Sequence, residues 1–261
     1  MIKIFASFLT VSIAGLMFGC AAGGILKSES KLNGQMPKTI LWAWERAEDL
    51  RFLDSQKYGA AFLAETLFLQ NDKVIFRPRR QPLEVSPNTY LIAVTRIETD
   101  KTNRPSLSEA QKNEIVADVR QTLDAPNVKA VQIDFDALVS EREFYKSLVR
   151  DLKKLLPADA PLTITALASW CASDNWIADL PVDEAVPMAF QMGADDKRIR
   201  AFLADGNDWR EPLCRRSYGV GLNEPLQIDF KPNRRFYLFN SAPGGWKAED
   251  LKRFPKGISD Q

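Results

Sequence analysis

Two carboxylates placed two residues apart, Asp134 and Asp136, are the best candidates for chemistry in this sequence. They lie in the segment 128–137, V-K-A-V-Q-I-D-F-D-A, where polar and apolar residues alternate. Side chains two apart on a strand share a face, so Gln132 lies on the same face as both aspartates. The two carboxylates are about 6.6 Å apart along a strand, close enough for one ionised group to raise the pKa of the other. Such a pair can supply an acid and a base.

The elements around this segment indicate a parallel sheet. Segment 128–137 is followed by apolar residues at helical spacing in 140–156, and then by another apolar strand at 161–170. A strand, a helix and a strand of this length form a parallel unit. A half-buried antiparallel strand would also explain the alternation, but the intervening helix argues against it.

Apolar segments of strand length occur eight times, at 39–45, 59–69, 90–98, 128–137, 161–170, 184–192, 217–222 and 235–240. Helices are predicted at 47–56, from Ser106 or Ser108 to 123, at 140–156 and at 196–204. A turn at 70–73 predicts a β-hairpin over about 67–85 in place of an outer helix after strand two. These elements predict an α/β fold, a (β/α)8 TIM-type barrel, which typically has about 250 residues. The alternative is an open doubly wound sheet, but no Gly-rich phosphate turn is present.

The mouth formed by the C-terminal strand ends is where such a barrel carries out chemistry. Asp136 comes last on its strand, so we expect it to act directly. Asp134 lies deeper, and we expect it to support the site through a hydrogen bond to a neighbour such as Thr165. The basic cluster at 77–80 is predicted to be a solvated hairpin end rather than an anion site.

Composition excludes several classes of function. The chain of 261 residues has 35 Lys and Arg against 34 Asp and Glu, so charge does not favour a nucleic-acid partner. It contains no histidine, which excludes imidazole-based triads and the common zinc sites. We therefore expect neither a metal nor a cofactor. The oligomeric state is left open.

The N-terminus predicts export. Residues 4–26 are uncharged, and the apolar part of this run is followed by Gly19-Cys20. The sequence Leu16-Met17-Phe18-Gly19-Cys20 resembles a bacterial lipoprotein signal. The predicted organisation is a signal peptide at 1–20 with lipidated Cys20, a tether at 21–38 and one barrel domain at 39–261. An uncleaved membrane helix is the alternative, but its many glycines make it a poor one. Ala21 favours the outer membrane, facing the periplasm, if the organism is Gram-negative.

Cys171 and Cys214 remain once Cys20 is assigned to the lipid anchor. An even pair in an oxidising compartment is compatible with a disulfide. The predicted topology puts the two residues at opposite mouths unless segment 209–216 crosses over, so the sequence leaves the bridge open.

Four segments carry a resemblance to an uncharacterised family of bacterial lipoproteins, known only as a domain of unknown function (3142). They are L-W-A-W-E at 41–45, V-Q-I-D-F-D-A at 131–137, T-I-T-A-L-A-S-W-C at 163–171 and P-V-D-E-A-V-P-M at 181–188. The resemblance covers nearly all of the mature chain. It implies a barrel fold and an envelope location.

A more distant resemblance is to chitinase-type glycoside hydrolases of the same barrel shape. These enzymes carry Asp-x-Asp-x-Glu after the fourth strand, and Asp134 and Asp136 match the two aspartates. Leu138 stands in place of the catalytic acid. In the Met-x-Tyr-Asp motif of the sixth strand, Phe190 and Gln191 replace the tyrosine and the aspartate. The substrate-assisted mechanism of that family is therefore not expected here.

Facing strands could still supply a second carboxyl at the separation of about 5–9.5 Å that glycoside hydrolysis needs. The predicted catalytic residues are Asp136, Asp134 and Glu98, with Glu45 and Glu65 as further partners. Arg96 shares a strand face with Glu98, and we expect it to form an ion pair. The predicted substrate-binding residues are Gln132, Glu45, Arg96, Trp170, Gln191 and Trp246. Trp170 and Trp246 follow strand ends, so they are favoured as sugar-stacking platforms over Trp42 and Trp44.

These features together predict an envelope lipoprotein that hydrolyses or binds a polysaccharide or peptidoglycan-like glycan. Its partners would be the glycan and, through the lipid, the membrane. The alternative is a non-catalytic glycan-binding or assembly lipoprotein.

Replacing Cys20 by Ser tests the predicted anchor, because lipid attachment requires the thiol. We expect the variant to leave the membrane fraction or to retain its signal peptide, as judged by fractionation and intact mass. Normal processing and membrane association would contradict the prediction.

Overall fold

Eight parallel strands close into a barrel in the computed structural model, which describes residues 36–254. The strands of the chain are β1 Thr39–Ala43, β2 Glu48–Asp49, β3 Tyr58–Gln70, β4 Lys73–Pro78, β5 Leu83–Glu84, β6 Tyr90–Thr99, β7 Val128–Asp134, β8 Leu162–Leu167, β9 Glu184–Met188, β10 Ser217–Gly221 and β11 Arg235–Phe239. The helices are α1 Glu109–Thr122, α2 Arg142–Leu155, α3 Ala168–Ala172 and α4 Asp196–Ala204. Short 3₁₀ turns lie at Val139–Glu141, Asn175–Ile177, Gly193–Asp195, Pro212–Arg216 and Ala248–Arg253.

The barrel order is β1, β3, β6, β7, β8, β9, β10 and β11, and β1 pairs in parallel with both β3 and β11. Because the sheet closes on itself, the protein has two hydrophobic cores, one inside the barrel and one outside it. Inward residues such as Ile40, Ile92 and Val186 fill the barrel, and a larger core lies between the sheet and the helices. The predicted TIM-type barrel is confirmed, as is the hairpin after strand two, which is the antiparallel pair β3 and β4.

The N-terminal end of the barrel is closed by a buried ion pair. The Arg235 guanidinium donates to the carboxylate of Glu184, 3.0 Å away, and Tyr237 Oη donates to the same carboxylate at 2.9 Å. Both charged side chains are almost fully buried. Because buried charges are tolerated when paired and hydrogen-bonded, this cluster can seal the end of the barrel opposite the candidate site.

One predicted element is wrong, and several strands end earlier than predicted. Segment 47–56 is not a helix: β2 pairs with β5, and Glu48 N donates to Pro82 O. This pairing satisfies the backbone with residues more than 30 positions away, which local propensity does not show. The fifth strand stops at Leu167, and Trp170 lies in the short helix α3.

Cys171 and Cys214 form a disulfide, with their Cα atoms 5.8 Å apart. The bridge that the sequence left open is possible because the segment before β10 packs against α3. There, the amides of Arg210 and Glu211 donate to Cys171 O. Among the described residues, no helix combines the length and the apolar character that crossing a membrane requires.

The disulfide spans 43 residues, so the loop-entropy model gives it a contribution of about 4 kcal/mol to the free energy of unfolding. We expect the double variant Cys171→Ala/Cys214→Ala to lose roughly this amount in urea denaturation. Reductant should destabilise the wild type similarly and leave the variant unchanged. A loss below about 1 kcal/mol would contradict the expectation.

Candidate functional site

A cleft of about 300 Å³ opens at the C-terminal ends of the barrel strands. Its polar lining consists of Arg96, Asp134, Asp136, Thr165, Ser169, Gln191 and Asp195. Its apolar lining includes Trp42, Trp44, Leu167, Met188, Phe190, Met192 and Phe239. The strand ends therefore bring together residues that are as far apart in sequence as Trp42 and Phe239.

Asp134 lies at the bottom of the cleft and is 5% exposed. Thr165 Oγ1 donates to its Oδ1 at 2.6 Å, and Arg96 Nη1 donates to its Oδ2 at 3.2 Å. Burial raises the pKa of Asp134, while the bond from Thr165 and the charge of Arg96 oppose that rise. The predicted hydrogen bond to Thr165 is present, and both carboxylate oxygens have a protein partner.

Asp136 follows two residues later, beyond the end of β7, and its side chain is exposed to the cleft. No described residue donates a hydrogen bond to its carboxylate. The enclosing walls of the cleft and the negative charge of Asp134 raise the pKa of Asp136 to about 6, and Arg96 partly offsets this. An accessible carboxyl that titrates near neutrality can accept or donate a proton to a bound molecule.

Glu141 holds the loop that carries Asp136. Its carboxylate accepts hydrogen bonds from the Leu138 amide at 2.8 Å and from Thr99 Oγ1 at 2.9 Å. The buried Glu141 therefore connects this loop to the end of β6. Sequence reasoning missed this residue, although Glu three positions after a loop residue is typical of a capping arrangement.

Arg96 is the charged centre of one wall. Its Nε donates to Glu98 at 2.7 Å, which confirms the expected ion pair, and its guanidinium lies 5.6 Å from the centre of the Trp44 ring. Burial alone would lower the pKa of Arg96, but the carboxylates of Asp134 and Glu98 raise it. Glu98, predicted to be catalytic, is paired with Arg96 and does not line the cleft.

Aromatic rings form the floor. Phe190 and Phe239 stack with centroids 4.8 Å apart, and Trp42 meets Phe190 edge-on at 5.8 Å. Trp42 Nε1 donates to Gln132 Oε1 at 2.8 Å, and Gln132 donates in turn to Thr163. Gln132 is fully buried and does not line the cleft, so its predicted contact with substrate is replaced by a role in supporting Trp42.

The two predicted platforms lie elsewhere. Trp170 is 3% exposed and packs edge-on against Trp176, and Trp246 is 4% exposed and donates through Nε1 to Trp42 O. Neither lines the cleft, whereas Trp42 and Trp44 do. The sequence favoured Trp170 and Trp246 because position after a strand does not tell which way a ring points.

Glu45 and Glu65 do not line the cleft but a second cavity next to the hairpin. A bulge in β3 between Leu63 and Glu65 shifts the register, so Glu65 points outward and accepts from Thr95 Oγ1 at 2.8 Å. Burial raises the pKa of Glu65 to about 7, the bond from Thr95 lowers it, and the charge of Asp118 raises it. It is therefore a buried carboxyl of the barrel wall.

Gln191 lines the cleft as predicted, and its backbone is left-handed, with φ of 50°. A non-glycine residue in this region is uncommon, and such strain clusters at functional sites. Glu224 holds it there by accepting a hydrogen bond from the Gln191 amide at 2.8 Å. Asp195, which sequence reasoning missed, also lines the cleft and is paired with Arg198. Residues 36–254 contain no cluster of side chains suited to holding a metal ion.

Comparison with solved structures identifies the same fold in a protein described as a putative chitinase A from Streptomyces coelicolor. The TM-score is 0.54 and the identity 11%, over 86% of this chain and 97% of that one. A family GH18 chitinase from Chromobacterium violaceum gives a TM-score of 0.47 at 10% identity, covering 85% and 81% of the two chains. The spore cortex-lytic enzyme SleL of Bacillus cereus gives 0.46 at 13% identity over 72% of this chain, which spans about half (51%) of that protein.

The predicted similarity to chitinase-type barrels is thus confirmed for the fold, which is all that identities this low establish. No protein-family model matches the chain, and no curated protein shows significant similarity to it. The resemblance to the lipoprotein family stays a prediction. Residues 1–35, with Cys20 and most of the tether, and residues 255–261 lie outside the described part of the chain.

Asp134 and Asp136 should differ in what their removal does to stability. Asp134→Ala leaves Thr165 and Arg96 without their buried partner, so we expect a loss of about 1–3 kcal/mol in the free energy of unfolding. Asp136→Ala removes no hydrogen bond within the described protein and should change it by less than about 0.5 kcal/mol. Urea denaturation of both variants checks this, and equal losses would contradict it.

Glu65 should make stability fall as pH rises. Its pKa is about 7 in the folded protein against an ordinary 4.5, so its stabilising contribution is complete below pH 4.5 and lost as pH rises to about 7. Glu65→Gln abolishes this titration and should exceed wild type by roughly 3 kcal/mol at pH 8, with much less difference at pH 4.5.

The measurement is the free energy of unfolding of both proteins across this pH range. Glu45→Gln, which removes an exposed carboxylate lining the same cavity, is the control and should track wild type. A Glu65→Gln difference that does not vary with pH would show that the carboxyl titrates normally.

Proposed function

We propose that the cleft binds a glycan, with one sugar ring over the aromatic floor and a hydroxyl group hydrogen-bonded to Asp136. The observation that carries this proposal is the carboxylate of Asp136, which faces an aromatic cleft and accepts no hydrogen bond from the described residues. Sugar rings have an apolar face and polar edges, and this cleft offers both kinds of contact.

The dimensions of the site support one deeply bound ring. A volume of about 300 Å³ is at the lower end of the range of about 300–1,000 Å³ for ligand pockets. Trp44 is half-buried at one side of the cleft, with Arg96 against its ring, so it offers an already ordered stacking surface. Preorganised contacts of this kind limit the entropy cost of binding.

Hydrolysis is a second candidate, favoured by the pKa of Asp136, about 6, which suits an acid or base near neutrality. Leu138, at the position of the chitinase acid, is 57% exposed and does not line the cleft. A second carboxyl would have to come from Asp195, the other lining carboxylate outside the buried Asp134. Binding is therefore the primary proposal, and turnover is a measured outcome of the same experiment.

The cellular setting is part of the proposal. A signal ending at Cys20 and a tether over 21–38 would place the barrel at the cell envelope, on the periplasmic face of the outer membrane in a Gram-negative organism. This setting agrees with the resemblance to the lipoprotein family. The putative chitinase that shares the fold makes a glycan the natural ligand class to test first.

Asp136→Asn and Trp44→Ala are the variants that test the site. Calorimetry against oligomers of N-acetylglucosamine, glucose and galacturonic acid, and against peptidoglycan fragments, should find a ligand that binds wild type. Each variant should bind it at least about tenfold more weakly, because it loses a charged hydrogen bond or a stacking surface. Asp179→Asn, which alters an exposed aspartate outside the cleft, is the matched control.

The affinity should also weaken as pH falls below about 6, since protonation removes the negative charge from Asp136. Release of reducing ends that Asp136→Asn abolishes would establish hydrolysis as well. Unchanged affinity in Asp136→Asn would remove this carboxylate from the site.

A further inference from the structure

A second cavity, of about 450 Å³, lies next to the β3–β4 hairpin. Its wall includes the arginines Arg77, Arg79 and Arg80 together with Glu45 and Glu65. The carboxylate of Glu65 is turned toward the helical layer, where it accepts a bond from Thr95. The open side of the cavity therefore carries more positive than negative charge.

Arg79 gives this cavity its shape. Its guanidinium donates to the main-chain oxygens of Ala43, Trp44, Arg46 and Gln81. These bonds fasten the end of the hairpin to the segment that follows β1. Because a guanidinium has only five N–H donors, Arg79 has little capacity left for a ligand.

Arg77 and Arg80 remain for a ligand. Both are exposed, and neither forms an ion pair with a carboxylate of residues 36–254. The Arg77 guanidinium lies 4.7 Å from the centre of the Phe68 ring, which orients it. Each guanidinium has a planar fork of N–H donors, which matches the two oxygens of a carboxylate.

The cavity and the cleft are connected through the sheet. Arg77, Thr66, Arg96 and Asp134 are consecutive register partners across β4, β3, β6 and β7. They occupy one row and share a face, and three strand spacings separate Arg77 from Asp134 by roughly 14 Å. Trp44 lines the cleft and its neighbour Glu45 lines the cavity, so the two sites adjoin the same segment after β1.

We propose that this cavity is a subsite for the carboxylate of an acidic sugar, in a glycan whose neighbouring unit occupies the cleft. The anion site stands on Arg77 and Arg80 alone, whereas the assignment to a glycan rests on the proposed function. The ligand class is thereby narrowed to acidic glycans, with Arg77 and Arg80 as the residues that select them over neutral ones.

The test uses the double variant Arg77→Gln/Arg80→Gln. The control is Lys129→Gln/Arg150→Gln, which removes the same charge from exposed positions that line neither the cleft nor this cavity. Calorimetry measures the affinity of each protein for a hexamer of galacturonic acid, a neutral hexamer of galactose, and monomeric galacturonic acid. Thermal melting confirms that the variants are folded.

Wild type and control should bind the acidic hexamer at least about tenfold more tightly than the neutral one, with a preference that declines as salt increases. The double variant should bind both hexamers within about twofold of each other. A wild type that does not discriminate, or a double variant that keeps the preference, overturns the subsite and leaves the proposed function intact. Arginine-dependent binding of the monomer without binding of either hexamer supports the anion site and contradicts the glycan cleft. Absence of all binding overturns the acidic-sugar subsite, whereas the proposed function fails only if the N-acetylglucosamine, glucose and peptidoglycan ligands do not bind either.

Discussion

Asp134 joins three neighbouring barrel strands at the level of the mouth, and the site above it depends on this junction. It lies on β7, accepts a hydrogen bond from Thr165 on β8 and forms an ion pair with Arg96 on β6. Removing one partner deprives the others of a hydrogen bond, so these three side chains hold one another in place. That arrangement fixes Arg96 against Trp44 and sets the start of the loop that presents Asp136.

The junction is the uppermost of three layers of polar side chains in the barrel. Below it, Gln132 bridges Trp42 and Thr163 across the interior. At the N-terminal end, Glu184 and Arg235 form the buried ion pair. Barrel interiors are filled in layers by side chains from different strands, so these layers hold the strands in register. The aromatic floor thus rests on a hydrogen-bonded support, and above it the carboxylate of Asp136 accepts no hydrogen bond from residues 36–254.

The fold was largely predictable because strand patterns are local, and eight apolar segments with helices between most of them define a closed parallel sheet. The alternation in β7 also predicted that Asp134 is hydrogen-bonded inside the barrel and that Asp136 faces the mouth. Features set by distant contacts were not predictable. One extra residue at the β3 bulge turns Glu65 to the outer face, since strand periodicity reverses there. Likewise, the pairing of β2 with β5 replaces the expected helix at 47–56, and the direction of the Trp170 ring depends on packing around α3.

A crystal structure of the protein with a bound oligosaccharide tests the central claim most directly. We expect a sugar ring over the floor formed by Trp42, Phe190 and Phe239, with a hydroxyl oxygen within hydrogen-bond distance of the Asp136 carboxylate. A sugar bound elsewhere on the barrel, with Asp136 in contact only with water, would contradict it.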